Sequence, residues 1–226
     1  MAEGAVPIGG ATLVWATWQR DGFPEHAMSL RDLPEANEIG GEALGSAVVL
    51  HRIDDRVPEV LRRAAATVGT GAVRRTATVG GNIVGSTLRC LLPAALVLDA
   101  RAVVLEPDSV YETDLAELLA KSHLLLSLRW RTPIASGYRK LSAEAGGPPP
   151  LVVATALHTT DTEATQLRVA VRDGYEVLTE TIEYDTDPEE LLDDLRRTPL
   201  GALHSTAWDV VREQVTDLVS DPTDRC

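Results

Sequence analysis

Two glycine doublets constrain this chain more than any other feature. Gly9-Gly10 lies in Pro7-Ile8-Gly9-Gly10-Ala11-Thr12-Leu13-Val14, and Gly80-Gly81 in Val73-Arg74-Arg75-Thr76-Ala77-Thr78-Val79-Gly80-Gly81-Asn82-Ile83. Adjacent glycines can take positive φ and bring backbone N–H groups against a ligand with no Cβ between them. The Asn after the second doublet adds an amide donor and a carbonyl acceptor. Taken alone, each doublet is either a tight turn or a phosphate cradle.

Around the doublets, short apolar runs alternate with turn signals. Ala11 to Trp18 reads as a buried loop followed by one or two helical turns, Asp21-Gly22-Phe23-Pro24 as a turn, and His26 to Leu30 as a short strand in a small parallel sheet beside the first doublet. Ala43 to Leu50 has strand character. Val57, Val60, Leu61, Ala64, Ala65 and Val68 recur at three- and four-residue steps. That spacing predicts an amphipathic helix over 54–68, with Asp54 or Asp55 as cap, Pro58 in its first turn and Arg56, Arg62 and Arg63 on the wet face. Thr70 to Ser86 is too rich in glycine for a regular helix. The pattern then predicts a helix at 93–99, a strand at 101–105, a helix at 114–121, extended segments at 123–131 and 134–141, and a strand or helix at 151–158. Strands at 166–172 and 175–184 form a hairpin turned at Gly174. Asp187-Pro188-Glu189-Glu190 opens a helix with Asp187 as N-cap, the last helix covers 206–218, and the residues from Asp221 are expected to fray.

A chain of 226 residues can bury a sizeable core and reads as two small lobes more readily than as one large domain. The longest apolar stretches, such as Leu91 to Ala100, are short and interrupted, and Glu3 without a basic flank is no signal-peptide start, so neither membrane span nor secretion is expected and the compartment is cytoplasmic. The net charge of −13, from 34 acidic against 21 basic residues, repels phosphate backbones and argues against nucleic acid as a partner. Cys90 and Cys226 offer neither metal-ligand spacing nor a disulfide framework, and His26, His51, His123, His158 and His204 are scattered, so each reads as a core or surface residue and no metal site is assigned. Hydrolysis finds no support, for there is no Gly-x-Ser-x-Gly elbow and no Ser-His-Asp order. Trp15 and Trp18 near the first doublet fill a core or pack on a flat ligand.

Further stretches fall between and after the doublets: Arg31-Asp32-Leu33-Pro34-Glu35-Ala36, Ala43-Leu44-Gly45-Ser46-Ala47-Val48, and Leu92-Pro93-Ala94-Ala95-Leu96-Val97-Leu98-Asp99-Ala100-Arg101-Ala102-Val103. In order and spacing, over about residues 7 to 158, the set resembles the FAD-binding subunit of the molybdenum hydroxylase family, the flavin component of xanthine and carbon monoxide dehydrogenases. In that family one loop reads approximately Ala-Gly-Gly-Thr-Asp-Leu and the other Arg-Asn-Arg-Gly-Thr-Ile-Gly-Gly-Asn. The resemblance implies an α+β, two-lobed FAD-binding fold of the molybdopterin dehydrogenase flavoprotein type. A shortened N-terminal α/β lobe would cover 1–39, a larger α+β lobe 40–132 and a reduced C-terminal α+β domain 133–226. FAD is the implied cofactor, its diphosphate neutralised by oriented N–H dipoles of Gly9, Gly10, Ala11, Thr12 and Leu13 on one side and Thr78, Val79, Gly80, Gly81 and Asn82 on the other. Lys140, in Tyr138-Arg139-Lys140, matches a segment that crosses to the flavin, where a cation stabilises the reduced ring. The implied partners are iron–sulfur and molybdopterin subunits, with NAD, a quinone or oxygen taking the electrons. No catalytic residue is assigned.

The chain also departs from that pattern. The strand and helix that precede the first loop in the family are expected to be missing, the first loop shifts its Thr and drops its Asp, and Val84-Gly85-Ser86-Thr87-Leu88-Arg89-Cys90 replaces a stretch that normally carries a carboxylate. These departures leave a second reading open: a stand-alone descendant without FAD, a homo-oligomer whose cleft serves a cofactor-free cyclase or isomerase or simply binds a small molecule. A third is a purely structural subunit. The flavin reading requires an open cleft, the second predicts one plugged by bulky side chains, and the third predicts no open cleft.

Overall fold

The structure, a computed structural model, describes residues 5–142, 147–184 and 187–220; the terminal residues expected to fray lie outside these. The chain divides into two compact units. The first takes residues up to Val57 with Ala64–Leu92 and Ala100–Arg131, and the second takes Pro58–Arg63, Pro93–Asp99 and the residues from Thr132.

In chain order the elements up to Arg131 are β1 (Val6–Ile8), α1 (Val14–Asp21), β2 (Ala27–Ser29), β3 (Ala43–Gly45), α2 (Glu59–Ala66), α3 (Gly71–Arg74), α4 (Leu92–Val97), β4 (Arg101–Leu105), β5 (Val110–Thr113), α5 (Leu115–Lys121) and β6 (Leu125–Arg129). β1 and β2 form a parallel two-stranded sheet in the register Val6 to Ala27. Val6 donates its N–H to His26 O at 3.0 Å, and Pro7, which has no N–H to give, is tolerated on this edge. A strand therefore does precede the first doublet, contrary to expectation. It is only three residues long, too short for any periodicity to announce it. The larger sheet is antiparallel, in the order β3-β6-β4-β5. Its face packs Val103 and Leu126 against Leu30, Ala36 and Ala47 in a small apolar core. α5 begins as expected, Asp114 accepting the Glu117 N–H at 2.6 Å.

One expectation is corrected here. The helix anticipated from Asp54 starts at Glu59, because the Asp54 carboxylate is already engaged by Arg56, with Nη2 to Oδ2 at 2.7 Å. That hydrogen-bonded cation pulls the Asp54 pKa down to about 2. Pro58 then supplies the carbonyl that the Leu61 and Arg62 N–H groups reach. The stretch 70–86 is no single regular helix, as expected, but it holds short helical turns. Thr70 caps α3 by accepting the Val73 N–H, and Gly81–Gly85 is a π-helical turn.

In the second unit β7 (Ala135–Lys140), β8 (Val152–Thr159), β9 (Thr165–Asp173) and β10 (Glu176–Tyr184) form an antiparallel meander. Asp173 pairs with Glu176 across the turn, and Gly174 there has φ 65°, the left-handed conformation that favours glycine. α6 (Pro188–Arg197) opens with Asp187 accepting the Glu189 N–H at 2.9 Å and Pro188 in the first turn. α6 and α7 (Ser205–Ser220) bury Leu191, Leu195, Trp208, Val211 and Val215 with Val153, Leu167 and Val169 of the sheet. Each such aliphatic side chain contributes about 1.5–3 kcal/mol relative to exposure. Gly137 of β7 lets α7 approach: a Cβ there would stand 1.9 Å from Gln214 Nε2. Among the described residues no helix is long and apolar enough to cross a membrane.

His158 on β8 is buried, with Nε2 at 2.8 Å from Val97 O. Burial holds its pKa below the ordinary 6.5, so the folded protein keeps the ring neutral with Nε2–H donating. The unfolded chain binds the proton more readily, so this contribution to stability is complete above pH 6.5 and is lost as pH falls through the lowered folded value. Urea denaturation between about pH 8 and about pH 5 should show stability declining with acid, and His158→Gln should flatten that slope.

Candidate functional site

The first doublet follows β1 directly. The chain leaves the ladder at Gly9 and enters α1 at Val14, with Trp15 N–H reaching back to Ala11 O at 2.9 Å. In between, the amides of Gly9, Gly10, Ala11, Thr12 and Leu13 donate to no group among the described residues. The glycines do not take positive φ as anticipated; Ala11 does, at 56°. What Gly9 and Gly10 supply is closeness. A Cβ on Gly10 would lie 1.7 Å from Thr76 O, and one on Gly9 would lie 2.8 Å from Thr78 Oγ1.

The second doublet is held by backbone. Leu50 N–H donates to Ala77 O at 2.9 Å, Val79 N–H to Val48 O at 3.0 Å and Gly80 N–H to Ser46 O at 2.8 Å. Gly80 has φ −61°, and a Cβ on it would come within 2.9 Å of Ser46 Cβ. Thr78 Oγ1 accepts the Gly81 N–H at 3.3 Å, and Thr78 O accepts the Asn82 N–H at 2.9 Å. The two loops are thus unlike: one has a run of open amides, while the other has the N–H groups of Val79, Gly80, Gly81 and Asn82 tied to the protein.

Both border one cleft of ≈ 600 Å³ within the first unit, inside the range of about 300–1,000 Å³ usual for small-molecule sites. Gly9, Gly10, Ala11, Thr12, Leu13, Thr78, Gly80 and Gly81 line it. The other sequence-derived positions sit elsewhere. Val79 is fully buried, the Asn82 side chain turns away to accept the Leu91 N–H at 2.9 Å, and Lys140 stands on β7 of the second unit. Trp18, Leu30, Val84, Leu124 and Leu125 give the cleft an apolar wall.

Two lining residues escaped the sequence reading. Ser46 lies within a stretch that was recognised, but nothing in its neighbours marks it. Its side chain is 2% exposed and its Oγ has no hydrogen-bond partner. His123 was grouped with the scattered histidines, yet it is the one ionisable side chain lining the cleft among the described residues. Its Nε2 is 3.2 Å from the Tyr111 hydroxyl, which donates to Glu106 Oε1 at 3.0 Å. Burial and the Glu106 carboxylate raise the Tyr111 pKa, so the phenol stays protonated.

Gly10→Ala should overlap Thr76 O and cost about 1–3 kcal/mol in urea unfolding, whereas Gly81→Ala, whose Cβ meets only Thr78 Oγ1 at 3.3 Å, should cost less. Asn82→Ala leaves the Leu91 N–H buried without its acceptor and should destabilise the fold by about 1–3 kcal/mol, read from the same denaturation curves.

No curated protein matches the chain by sequence. Solved structures resemble it closely in fold. A chain of quinoline 2-oxidoreductase from Pseudomonas putida 86 aligns at TM-score 0.67 and 15% identity, over 97% of this chain and 89% of that one. A chain of cyanide-inactivated Cu,Mo-CO dehydrogenase aligns at 0.72 and 17%, over 98% and 91%. One of reconstituted CO dehydrogenase from Oligotropha carboxidovorans aligns at 0.68 and 17%, over 99% and 91%. The mixed α/β architecture is that of the molybdopterin dehydrogenase flavoproteins. The family profile described as the FAD binding domain in molybdopterin dehydrogenase matches residues 2–127, more than half of the sequence, and the chain belongs to that family of FAD-binding flavoproteins.

Proposed function

We propose that this chain is the electron-transfer flavoprotein subunit of a molybdenum hydroxylase, carrying FAD and passing electrons between an iron–sulfur partner and an acceptor. The observation that carries the reading is the run of residues from Gly9 to Leu13 whose amides donate to no described group and which line an open cleft. Backbone N–H groups left without partners carry a cost unless something else accepts from them, and a diphosphate is such an acceptor. The donor set fits FAD. Gly9, Gly10, Ala11, Thr12 and Leu13 would hold the diphosphate from one side, with Thr78, Gly80 and Gly81 bordering it on the other. Val79 and Asn82 would support that second loop from within the fold, and Lys140 stays a proposed flavin neighbour by resemblance alone. The apolar wall that includes Trp18 and Leu124 would keep water from a flat ring system.

When bound, FAD supplies the redox chemistry, and the protein's own part is to bind, orient and shield it. The metal centres are proposed outside these 226 residues, because a [2Fe–2S] cluster takes four Cys ligands and this sequence has two Cys. The plugged cleft that the reading without FAD predicts is not what the structure has, for the cleft is open and bordered by both glycine loops.

The absorption spectrum of the purified protein should carry flavin bands, and heat-released cofactor should co-elute with FAD. A colourless protein that takes up no added FAD would overturn the assignment. Anaerobic mixing with a reduced [2Fe–2S] protein should bleach the flavin bands, with colour returning on addition of NAD, a quinone or oxygen; bands that never bleach would refute the electron-transfer role alone.

A further inference from the structure

Ser46 follows β3 and is pinned by its backbone on both sides. Its N–H donates to Leu126 O at 2.9 Å, and its carbonyl accepts the Gly80 N–H at 2.8 Å. Its Cβ lies against Gly80, where a second Cβ could not fit. The side chain therefore has little freedom to seek a partner elsewhere. Its Oγ is nonetheless buried with no hydrogen bond, in a residue that lines the cleft beside Thr78 and Gly80.

Buried hydroxyls are almost always satisfied. An alanine would fill this space with no polar atom to satisfy, so an orphaned hydroxyl at a cleft wall points to an acceptor that enters with a ligand. Thr78 differs, because its Oγ1 already has one partner, the Gly81 N–H that it accepts at 3.3 Å, whereas Ser46 Oγ has none. On the wall formed by the second loop the amides of Val79, Gly80, Gly81 and Asn82 are all engaged, which raises the part a side-chain hydroxyl can play toward a ligand there.

We propose that Ser46 Oγ–H is a specificity-determining contact of the cleft, donating to a diphosphate oxygen of the bound dinucleotide and answering from the second loop the open amides of the first. This rests on the FAD reading above. The contact makes the cradle two-sided through a side chain on the wall where the Val79, Gly80, Gly81 and Asn82 amides are already engaged.

The test is titration of the apo-protein with FAD, followed by flavin fluorescence, and with ADP as a probe that carries the diphosphate without the flavin. Ser46→Ala should weaken both ligands about tenfold, equivalent to about 1.4 kcal/mol, while the apo-protein melts at the same temperature or higher because an unsatisfied group has been removed. Ser46→Cys keeps the shape with a poor donor and should weaken both ligands too, which covers the case that the alanine variant folds badly. Unchanged FAD and ADP affinity in both variants would overturn the inference while leaving the FAD reading intact, as would a loss for FAD with none for ADP. A lower melting point of the apo-protein with unchanged affinity would assign the hydroxyl to a structural water and overturn it as well. Failure of the unmodified protein to bind FAD would remove both this contact and the reading on which it rests.

Discussion

Backbone meeting backbone with no Cβ between them is the contact on which this cleft depends. Gly10 lies so close to the Thr76 carbonyl that any side chain would overlap it, and Gly80 lies close on Ser46, though less tightly. Thr78 stands where the two contacts meet. It pairs with Val49, its Oγ1 fills the place of a Gly9 Cβ, and the same oxygen accepts the Gly81 N–H. Because the first loop rests on the second without hydrogen-bonding to it, its amides are left for the cleft. Packing of this kind tolerates little change in volume, so the glycines act here as spacers more than as turn formers.

The electrostatics follow from the same arrangement. A protein of net charge −13 that is to hold a diphosphate needs local positive potential, yet no Lys or Arg lines the cleft among the described residues. Amide dipoles fixed by the fold supply that potential without the desolvation penalty of a buried cation and without reorganisation. His123 lines the cleft with its Nε2 3.2 Å from the Tyr111 hydroxyl, which in turn donates to Glu106. A second carboxylate nearby, Glu117, is occupied by Lys121 and Thr113, and the Lys121 hydrogen bond lowers its pKa. No Asp or Glu lines the cleft among the described residues, and near β5 and α5 Glu117 and Glu112 are paired with Lys121 and Arg129.

Elements whose signals are local were legible in the sequence. Asp187 and Pro188 announce α6, Gly174 announces the hairpin of β9 and β10, and Asp114 announces α5, because caps and turns are decided by a few adjacent residues. β1 and β5 were not legible, being too short to show a period. The glycine-rich stretch forms no regular helix, as its composition implies, but its short helical turns are set by tertiary contacts. Hydrogen bonds from Val79 and Gly80 to Val48 and Ser46 fix the entry to the π-helical turn, and such pinning overrides a weak intrinsic preference. The two glycine loops were found from their residues, while Ser46 and His123 were not. Their importance comes from which wall they reach, and no neighbouring residue encodes that.

Ala11 bears on why the first loop's amides face outward at all. A non-glycine residue at φ 56° is held in the left-handed region at a cost of about 1–2 kcal/mol, and a strained residue persists only where the surroundings over-determine it. Here β1 fixes the chain before the loop, Gly10 is blocked from moving inward by Thr76 O, and the Ala11 carbonyl is committed to the first turn of α1 through Trp15 N–H. With both ends fixed, the reversal of backbone sense has to fall between Gly10 and Leu13, and a residue in left-handed conformation among right-handed neighbours turns successive N–H groups toward one point. Leu13, at the start of α1, is in the right-handed region. The strain at Ala11 and the open amides beside it are then two consequences of one constraint. Relieving the first by local rearrangement would also disperse the second, and this ties the stability of the loop to its capacity to hold an anion.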